Sequence, residues 1–227
     1  MEDPREIKAV AKDLGADLCG IAPAQRFEGA PDGFHPEDVY RDCKSVLVFA
    51  KRLPTESLFA SSCVAYTHVN SMVNVEVDLI AIELSRRLQD HGMGAVPIPS
   101  DDPYEHWEPD RLYGRGILSL RHAGYLAGLG ILGRNTLLIN EGFGNMIQIG
   151  AVLLDTELDG DSIASYEVCP PECSICIDSC PVGALDGKTV VQELCRPLAC
   201  HKSERGFILK KCNLCRRACP HSLGLRA

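Results

Sequence analysis

The chain has 227 residues, of which 45% are hydrophobic and 24% are charged. This balance is typical of a folded globular protein and excludes disordered and fibrous classes. No stretch approaches the roughly 18 apolar residues of a membrane span. The first residues lack the basic and apolar runs of a signal peptide. We therefore expect a cytoplasmic protein with no membrane partner.

Charge is distributed unevenly along the chain. Residues 1–168 contain 14 Lys+Arg and 26 Asp+Glu, a net charge of −12, whereas residues 169–227 contain 9 and 5, a net charge of +4. Nucleic-acid binding requires positive charge against the phosphates. The acidic body therefore leads us to expect no nucleic-acid partner.

The first half of the chain alternates helical and strand-like patterns. Apolar residues at helical spacing predict a helix over 6–14, which Gly15 ends. A short strand is predicted over 18–22, and a Pro/Gly-rich loop follows to residue 40. The continuous apolar run 45–50 is typical of a strand covered on both faces. These patterns predict a layered α/β body.

The second half of the body continues this alternation. A helix is predicted over 73–90, a strand over 95–98 and a surface loop or lid over 100–110. Further along, the pattern predicts a helix over 117–126 and two strands over 136–139 and 146–154. Beyond about residue 158 the composition turns to Cys, Pro and Lys. We therefore place a body at 1–160 and a second domain at 161–227.

The cysteines carry the clearest chemical signal. Nine of the twelve lie in the last 59 residues, and seven of these nine form two runs that each end in C-x2-C-x3-C-P. Bacterial ferredoxins with two [4Fe–4S] clusters use this spacing, and the last cysteine of each run ligates the other cluster. The runs therefore predict a ferredoxin-like domain with two clusters and an electron-transfer role. A zinc ribbon is the alternative for C-x2-C pairs.

Spacing divides the cysteines between two clusters. The first set is Cys169, Cys173 and Cys176, completed by Cys219. The second set contains Cys180, Cys212 and Cys215. Its fourth member is Cys195 or Cys200, of which we favour Cys195.

Other residues near these runs have simpler explanations. Cys19, Cys43 and Cys63 lie far from any ligand spacing and are expected to pack as small buried side chains. His201 and His221 are expected to cap or tune the cluster domain. The basic residues of this region offset cluster charge; they are Lys210, Lys211, Arg216 and Arg217.

A glycine-rich segment precedes the cysteines. Residues 127–139 read AGLGILGRNTLLI and match neither a dinucleotide-binding fingerprint nor a P-loop. Together with the cluster runs, and with 14–22 and 43–48, this segment resembles the epoxyqueuosine reductases and, more distantly, the corrinoid reductive dehalogenases. The likeness spans most of the chain.

The resemblance implies a fold, cofactors and site residues. It implies an α+β fold, with a nitroreductase-like α/β body that holds cobalamin beside one of two [4Fe–4S] clusters. By that match the corrin-contacting residues would be Gly128, Gly130, Gly133, Arg134, Asn135 and Thr136. The alternative for the same residues is a tight turn that packs the preceding helix on the sheet.

The chain departs from the epoxyqueuosine reductase pattern in two ways. The position of that family's catalytic aspartate falls on Gly114, and Asp101-Asp102-Pro103 is only a displaced look-alike. No counterpart of the family's C-terminal tRNA-binding repeats follows Cys219, so we expect a short form with a different substrate. Candidate proton donors in place of the aspartate are Tyr113, His122 and Tyr125.

Two functions follow from the sequence. The first is an iron–sulfur oxidoreductase that takes electrons from an external donor and reduces a small molecule in the α/β body, and the resemblance implies that it depends on cobalamin. The alternative is a ferredoxin-like electron carrier or reductive activator that docks a redox partner protein, such as a corrinoid protein, and binds no corrinoid itself.

Overall fold

A four-stranded antiparallel sheet forms the centre of the protein. The computed structural model describes residues 3–103 and 105–225. The strands of the sheet are β1 (Leu18–Pro23), β2 (Ser45–Arg52), β3 (Ala95–Ile98) and β8 (Ile147–Leu154). They lie in the order β1, β2, β8, β3, and every neighbouring pair is antiparallel.

Both faces of this sheet are covered. On β2, Leu47 and Phe49 face one hydrophobic core, and Val46 and Val48 face the other. All four side chains are fully buried. The predicted two-sided burial of this strand is confirmed, although the sheet that buries it is antiparallel.

Two helices cover the first face. Helix α1 (Pro4–Asp13) is capped at its N-terminus by Asp3, whose side chain accepts a hydrogen bond from the Arg5 amide. Helix α3 (Cys63–Asp90) is longer than the predicted 73–90. Its first turns were missed because Tyr66 and Asn70 carry the buried face there, and their polar groups weaken the apolar period.

The second face is covered by α4 (Leu120–Leu126), which is shorter than the predicted 117–126. Close by lie a short helix and two small hairpins. They are α2 (Pro36–Val39), the hairpin of β4 (His106–Glu108) with β5 (Tyr113–Arg115), and the pairing of β6 (Ile131–Leu132) with β7 (Leu138–Ile139). The predicted loop over 100–110 thus includes the first strand of a hairpin.

The cysteine-rich segment contains only short elements. They are α5 (Ile175–Asp178), α6 (Gln192–Ala199), α7 (Leu214–Arg217) and the hairpin of β9 (His201–Lys202) with β10 (Ile208–Leu209). The only hydrophobic cluster centred on it among the described residues has three buried members, Ile139, Val168 and Cys219. Such a small core depends on other contacts for its stability.

The structure is thus mixed α/β with small antiparallel sheets, which agrees with the prediction of an α/β body. Within the described residues, no helix combines the length and the apolar character that a membrane crossing demands.

Candidate functional site

Four cysteines share the wall of a small cavity. The cavity has a volume of about 400 Å³, and its lining includes Cys169, Cys173, Cys176 and Cys219. The thiol of Cys219 lies within electrostatic range of the other three. Burial raises the pKa of Cys176 and of Cys219. The fold therefore brings together the four residues of the first predicted cluster, although Cys219 is 43 positions beyond Cys176 in the chain.

A second set of cysteines lies together in the same way. The thiol of Cys215 is within electrostatic range of Cys195, Cys212 and Cys180, and burial raises its pKa to about 11. Cys200 interacts with Cys195 but is absent from the neighbours of Cys215. This arrangement favours Cys195 over Cys200 as the fourth member.

The thiols of neither set converge on a single point. Across residues 3–103 and 105–225, no three His, Cys, Asp or Glu side chains converge as ligands of a single metal ion. In a cubane each thiolate binds a different iron, so the four sulfurs stand around the cluster. The donor chemistry and the four-thiolate sets fit [4Fe–4S] groups.

A larger cavity lies between the body and the cysteine-rich segment. Its volume is about 980 Å³, at the upper end of ordinary small-molecule sites. Cys195, Cys212 and Cys215 of the second set line it together with body residues from α3, α4 and β8. A ligand in this cavity would therefore lie directly against the second cluster position.

The three candidate proton donors all line this larger cavity. Tyr113 accepts a hydrogen bond at 2.9 Å from Arg115 Nε. His122 Nδ1 and Ser119 Oγ share a hydrogen bond of 2.7 Å. Burial, followed by the charge of Arg121, lowers the pKa of His122. Tyr125 is half-buried beside them.

The glycine-rich segment lies elsewhere. None of the six predicted corrin-contacting residues is part of the large cavity's lining. A side chain at Gly128 would collide with the Ser162 carbonyl, and one at Gly130 would meet the Ile139 oxygen at 2.5 Å. Gly133 faces the Ile139 side chain. The glycines therefore allow close packing of backbone, as the tight-turn alternative required.

The polar residues of this segment contact the cysteine-rich segment. Arg134 Nη1 donates to the carbonyls of Pro171 and Cys173 at 2.8 and 2.7 Å, and its amide donates to Cys169 Sγ at 3.5 Å. Asn135 Nδ2 donates to the Cys215 carbonyl at 3.2 Å. Both residues line the smaller cavity. They therefore contact both cysteine sets and lie outside the large cavity.

Asn145, which the sequence gave no reason to select, lies at the wall of the large cavity beside Arg216, which was expected only to offset cluster charge. Asn145 is 1% exposed, and its Nδ2 donates to the Arg216 carbonyl at 3.3 Å. Arg216 is buried beside Cys215, and its Nη1 donates back to the Asn145 carbonyl. Asn145 Oδ1 has no hydrogen-bond partner in the described structure. A buried acceptor without a partner is costly unless a ligand supplies one.

The remaining cysteines and histidines are placed more simply. Cys43 is buried in the core, and burial raises its pKa to about 11. Burial likewise raises the pKa of Cys19 to about 12. Cys63 begins α3. His221 lines the smaller cavity, and a backbone hydrogen bond from it lowers the pKa of Cys219 against the larger effect of burial. His201 lies in β9.

Known proteins resemble this chain over part of their length. No family model matches it. It is 28% identical over 121 residues to the epoxyqueuosine reductase of Staphylococcus aureus (strain NCTC 8325 / PS 47), covering 48% of this chain and 31% of that one. It is 27% identical over 114 residues to that of Lactococcus garvieae (strain Lg2), covering 44% and 31%. The match thus spans about a third of these relatives.

Solved structures extend the likeness to almost the whole chain. An epoxyqueuosine reductase from Streptococcus thermophilus superposes with a TM-score of 0.69 at 17% identity, over 97% of this chain and 66% of that one. A catabolic reductive dehalogenase superposes with a TM-score of 0.67 at 18% identity, over 97% and 32%. The resemblance stated from the sequence is therefore confirmed, and these proteins share the fold.

The expectation that nucleic acid plays no part is wrong. One similar structure, with a TM-score of 0.63, 18% identity and coverage of 96% of this chain and 64% of that one, is an epoxyqueuosine reductase with an epoxyqueuosine-modified tRNA stem loop. The expectation failed because it used net charge over the whole body. Recognition depends on local charge, and among the described residues six Lys and Arg side chains and one carboxylate, Asp101, line the large cavity.

Proposed function

We propose that the protein is a reductase in which two [4Fe–4S] clusters deliver electrons to cobalamin and substrate in the large cavity. The clusters are assigned to the cysteine-rich segment 161–227 and the cavity chiefly to the body 1–160. One observation carries this proposal: the second cysteine set forms part of the cavity wall. Electrons need a short path from a cluster to their acceptor, and this wall supplies it.

The cavity has properties that suit a large amide-bearing cofactor. Its volume of about 980 Å³ accommodates a bulky ligand. The Asn145 Oδ1 atom offers a buried acceptor without a protein donor, and the rim of a corrin carries amide N–H groups. When bound, a corrinoid supplies a redox-active cobalt centre. Among the chain's own groups, Asn145 would orient the ligand and the cavity walls would exclude water.

Proton delivery is assigned to the residues around α4. Reduction of a substrate needs a proton source near the reacting atom. Tyr113, His122 and Tyr125 line the same cavity as the second cysteine set. Because its pKa is lowered, His122 is neutral near pH 7 and can still donate from one ring nitrogen. The variants Y113F, Y125F and H122Q each remove one candidate donor, so the variant that loses substrate reduction identifies the proton donor.

An electron carrier is the second candidate, and a specific observation favours it. The position of the family's catalytic aspartate is Gly114, whose backbone is engaged by Gln192. Asp101 is the only carboxylate in the cavity lining within the described residues, and its Oδ2 accepts a hydrogen bond from Asn74. A carrier would use the same clusters without chemistry in the body.

The test is anaerobic reconstitution of the full chain with iron and sulfide, followed by cobalamin and a sizing column. About eight irons per chain with stoichiometric base-off corrinoid in the protein peak is the expected result. Eight irons without corrinoid would leave the electron carrier as the answer. C212S provides a matched variant, because it should lose the cluster at the cavity wall and keep the first cluster.

Substrate screening follows a positive result. Small organic molecules form one arm. Because a similar structure holds a modified tRNA stem loop, an epoxyqueuosine-containing stem loop forms the other. Turnover of either substrate with reduced protein separates the reductase from the carrier.

A further inference from the structure

The large cavity concentrates positive charge in an acidic protein. Arg26, Arg115 and Arg121 line it from the body, and Arg196, Lys210 and Arg216 line it from the cysteine-rich segment. Residues 1–168 carry a net charge of −12. Three arginines at one cavity are therefore a local excess of positive charge in an acidic body. The cations on the cysteine side are adequately explained as countercharges to a cluster. On the body side, Arg26 donates to the carbonyls of Leu126 and Asp161. Arg115 donates to the Tyr113 hydroxyl and stacks on the Tyr113 ring. Arg121 is therefore the body arginine that needs another explanation.

Arg121 is the most constrained of the body arginines. Its Nη1 donates to both the carbonyl and the Oγ1 of Thr136, each at 2.6 Å. No other hydrogen bond or ion pair to Arg121 exists within residues 3–103 and 105–225. The Nε–Nη2 edge of the guanidinium is therefore left without a protein acceptor. That edge is the planar fork that matches a carboxylate or a phosphate.

The residue that holds Arg121 has an unusual backbone. Thr136 has φ +63°, in the left-handed region that residues with a branched Cβ rarely adopt. In this conformation both of its oxygen atoms bind one guanidinium nitrogen. Strained backbone of this kind is concentrated at functional sites. Thr136 therefore fixes Arg121 at the cavity at a conformational cost.

Arg121 is a partly buried cation without an anionic partner in the described structure, which is unfavourable. Burial lowers the pKa of Arg121, which reflects the loss of water around the guanidinium. A ligand anion would restore the missing partner and form charge-assisted hydrogen bonds with the free edge.

We propose that Arg121 forms an anion subsite in the large cavity, which binds a carboxylate or phosphate group of the ligand. The proposal rests on the proposed function only in using the same cavity. The anion has two sources: a substrate that carries the group, or the phosphodiester in the nucleotide tail of cobalamin.

The first test uses the cluster-loaded full chain before cobalamin is added. Benzoate and benzamide serve as probes, because they have nearly the same shape and differ in charge. Calorimetric titration should show benzoate binding at least tenfold tighter than benzamide, with affinity that falls as salt is raised. Equal binding of the two probes by the wild-type protein, or no binding of benzoate, would overturn the proposal without any variant.

Variants then assign the preference to Arg121. R121Q should weaken benzoate binding about tenfold or more and leave benzamide unchanged. R121K keeps the charge without the fork and should be intermediate. R41Q is the matched control. It removes the same charge, and Arg41 is exposed and lies outside the cavity lining. Equal benzoate affinity in R121Q and R41Q would contradict the assignment.

A final comparison identifies the source of the anion. Cobinamide lacks the nucleotide tail and its phosphate. If the subsite holds the cofactor, R121Q should weaken cobalamin binding and spare cobinamide. If it holds a substrate, both corrinoids should bind R121Q as they bind the wild type. The benzoate result stands whether or not corrinoid binds, so failure of the subsite and failure of the proposed function are distinguishable.

Discussion

Gln192 closes two hydrogen bonds with the backbone of Gly114: Oε1 accepts from the Gly114 amide at 3.0 Å, and Nε2 donates to the Gly114 carbonyl at 2.9 Å. This pairing ties the β4–β5 hairpin to α6, the helix that carries Cys195. A second contact stacks Arg196 over the Trp107 ring, with the guanidinium carbon 5.0 Å from the ring centroid. The hairpin is therefore fastened to the second cysteine set.

Replacing Gln192 should release that hairpin. Q192A removes both hydrogen bonds, each worth about 0.5–1.5 kcal/mol, so we expect a loss of about 1–2 kcal/mol in the free energy of unfolding. Amide hydrogen exchange over residues 106–115 should accelerate. E193A, at the neighbouring exposed position, is the control. Unchanged exchange in Q192A would show that other contacts hold the hairpin.

Serine replacements should separate cluster ligands from bystanders. C219S and C195S should each reduce iron from about eight atoms per chain toward four, because each site loses one thiolate of its cubane. C200S and C63S should keep the full count. Iron analysis with electron paramagnetic resonance distinguishes the two clusters. Loss of a cluster in C200S but not in C195S would reverse the assignment of the fourth ligand.

Arg216 should raise the reduction potential of the second cluster. The guanidinium is buried beside Cys215 and pairs with no carboxylate in the described structure, so it stabilises the extra electron of the reduced state. R216Q should lower the potential on the order of 60 mV, which is about a tenfold shift of a one-electron equilibrium. R217Q is the matched control, since Arg217 is exposed. Equal potentials in R216Q and wild type would exclude this role.

His122 should titrate below its ordinary pKa of about 6.5. Burial is the main cause of the lowered pKa and the charge of Arg121 the second, so R121Q should raise it part of the way back. As pH falls, the His122 ring binds a proton in the unfolded chain before it does so in the folded chain. The contribution of neutral His122 to folding stability is therefore present above about pH 6.5 and is lost as pH falls toward the lowered pKa.

Histidine ring resonances followed by NMR in the cluster-free chain would measure this titration, with H122Q identifying the signal. The same pKa in R121Q and the wild type would show that burial alone sets it.

Gly144 should be intolerant of a side chain. Its φ is +59°, and a Cβ there would collide with the backbone of His221 and Ser222. G144A should therefore cost more than about 2 kcal/mol, from left-handed strain plus displaced backbone, and should reduce occupancy of the first cluster. G142A is the matched control, because a Cβ there meets only Asn140 Oδ1, at 3.5 Å. Similar melting temperatures for the two variants would contradict this account.

Much of the sheet was predictable because its signal is local. The runs that form β2 and β8 alternate between two cores and are apolar at nearly every position, so they stand out in any sequence window. The two cysteine sets rest on a different signal, since ligand chemistry fixes their spacing, and their role as cluster ligands stays a prediction.

The residues that shape the cavity were not predictable, because their partners are distant in the chain. Gln192 binds a backbone 78 positions away, and Asn145 binds one 71 positions away. The predicted strand over 136–139 began two residues early because Thr136 turns the chain in a left-handed conformation. The glycines at 128, 130 and 133 indicated that another group packs closely against this backbone, but the sequence did not identify that group.

The two hydrophobic cores of the body are built almost wholly from residues before position 160, whereas the cysteine-rich segment contributes little buried apolar area. On the proposed function, a chain made without iron would keep its sheet and α3 but lack the thiolate bonds that tie one wall of the cavity together. The supply of iron during synthesis would then set how firmly that wall is held around a ligand. Oxygen damage to the proposed clusters would loosen the same wall.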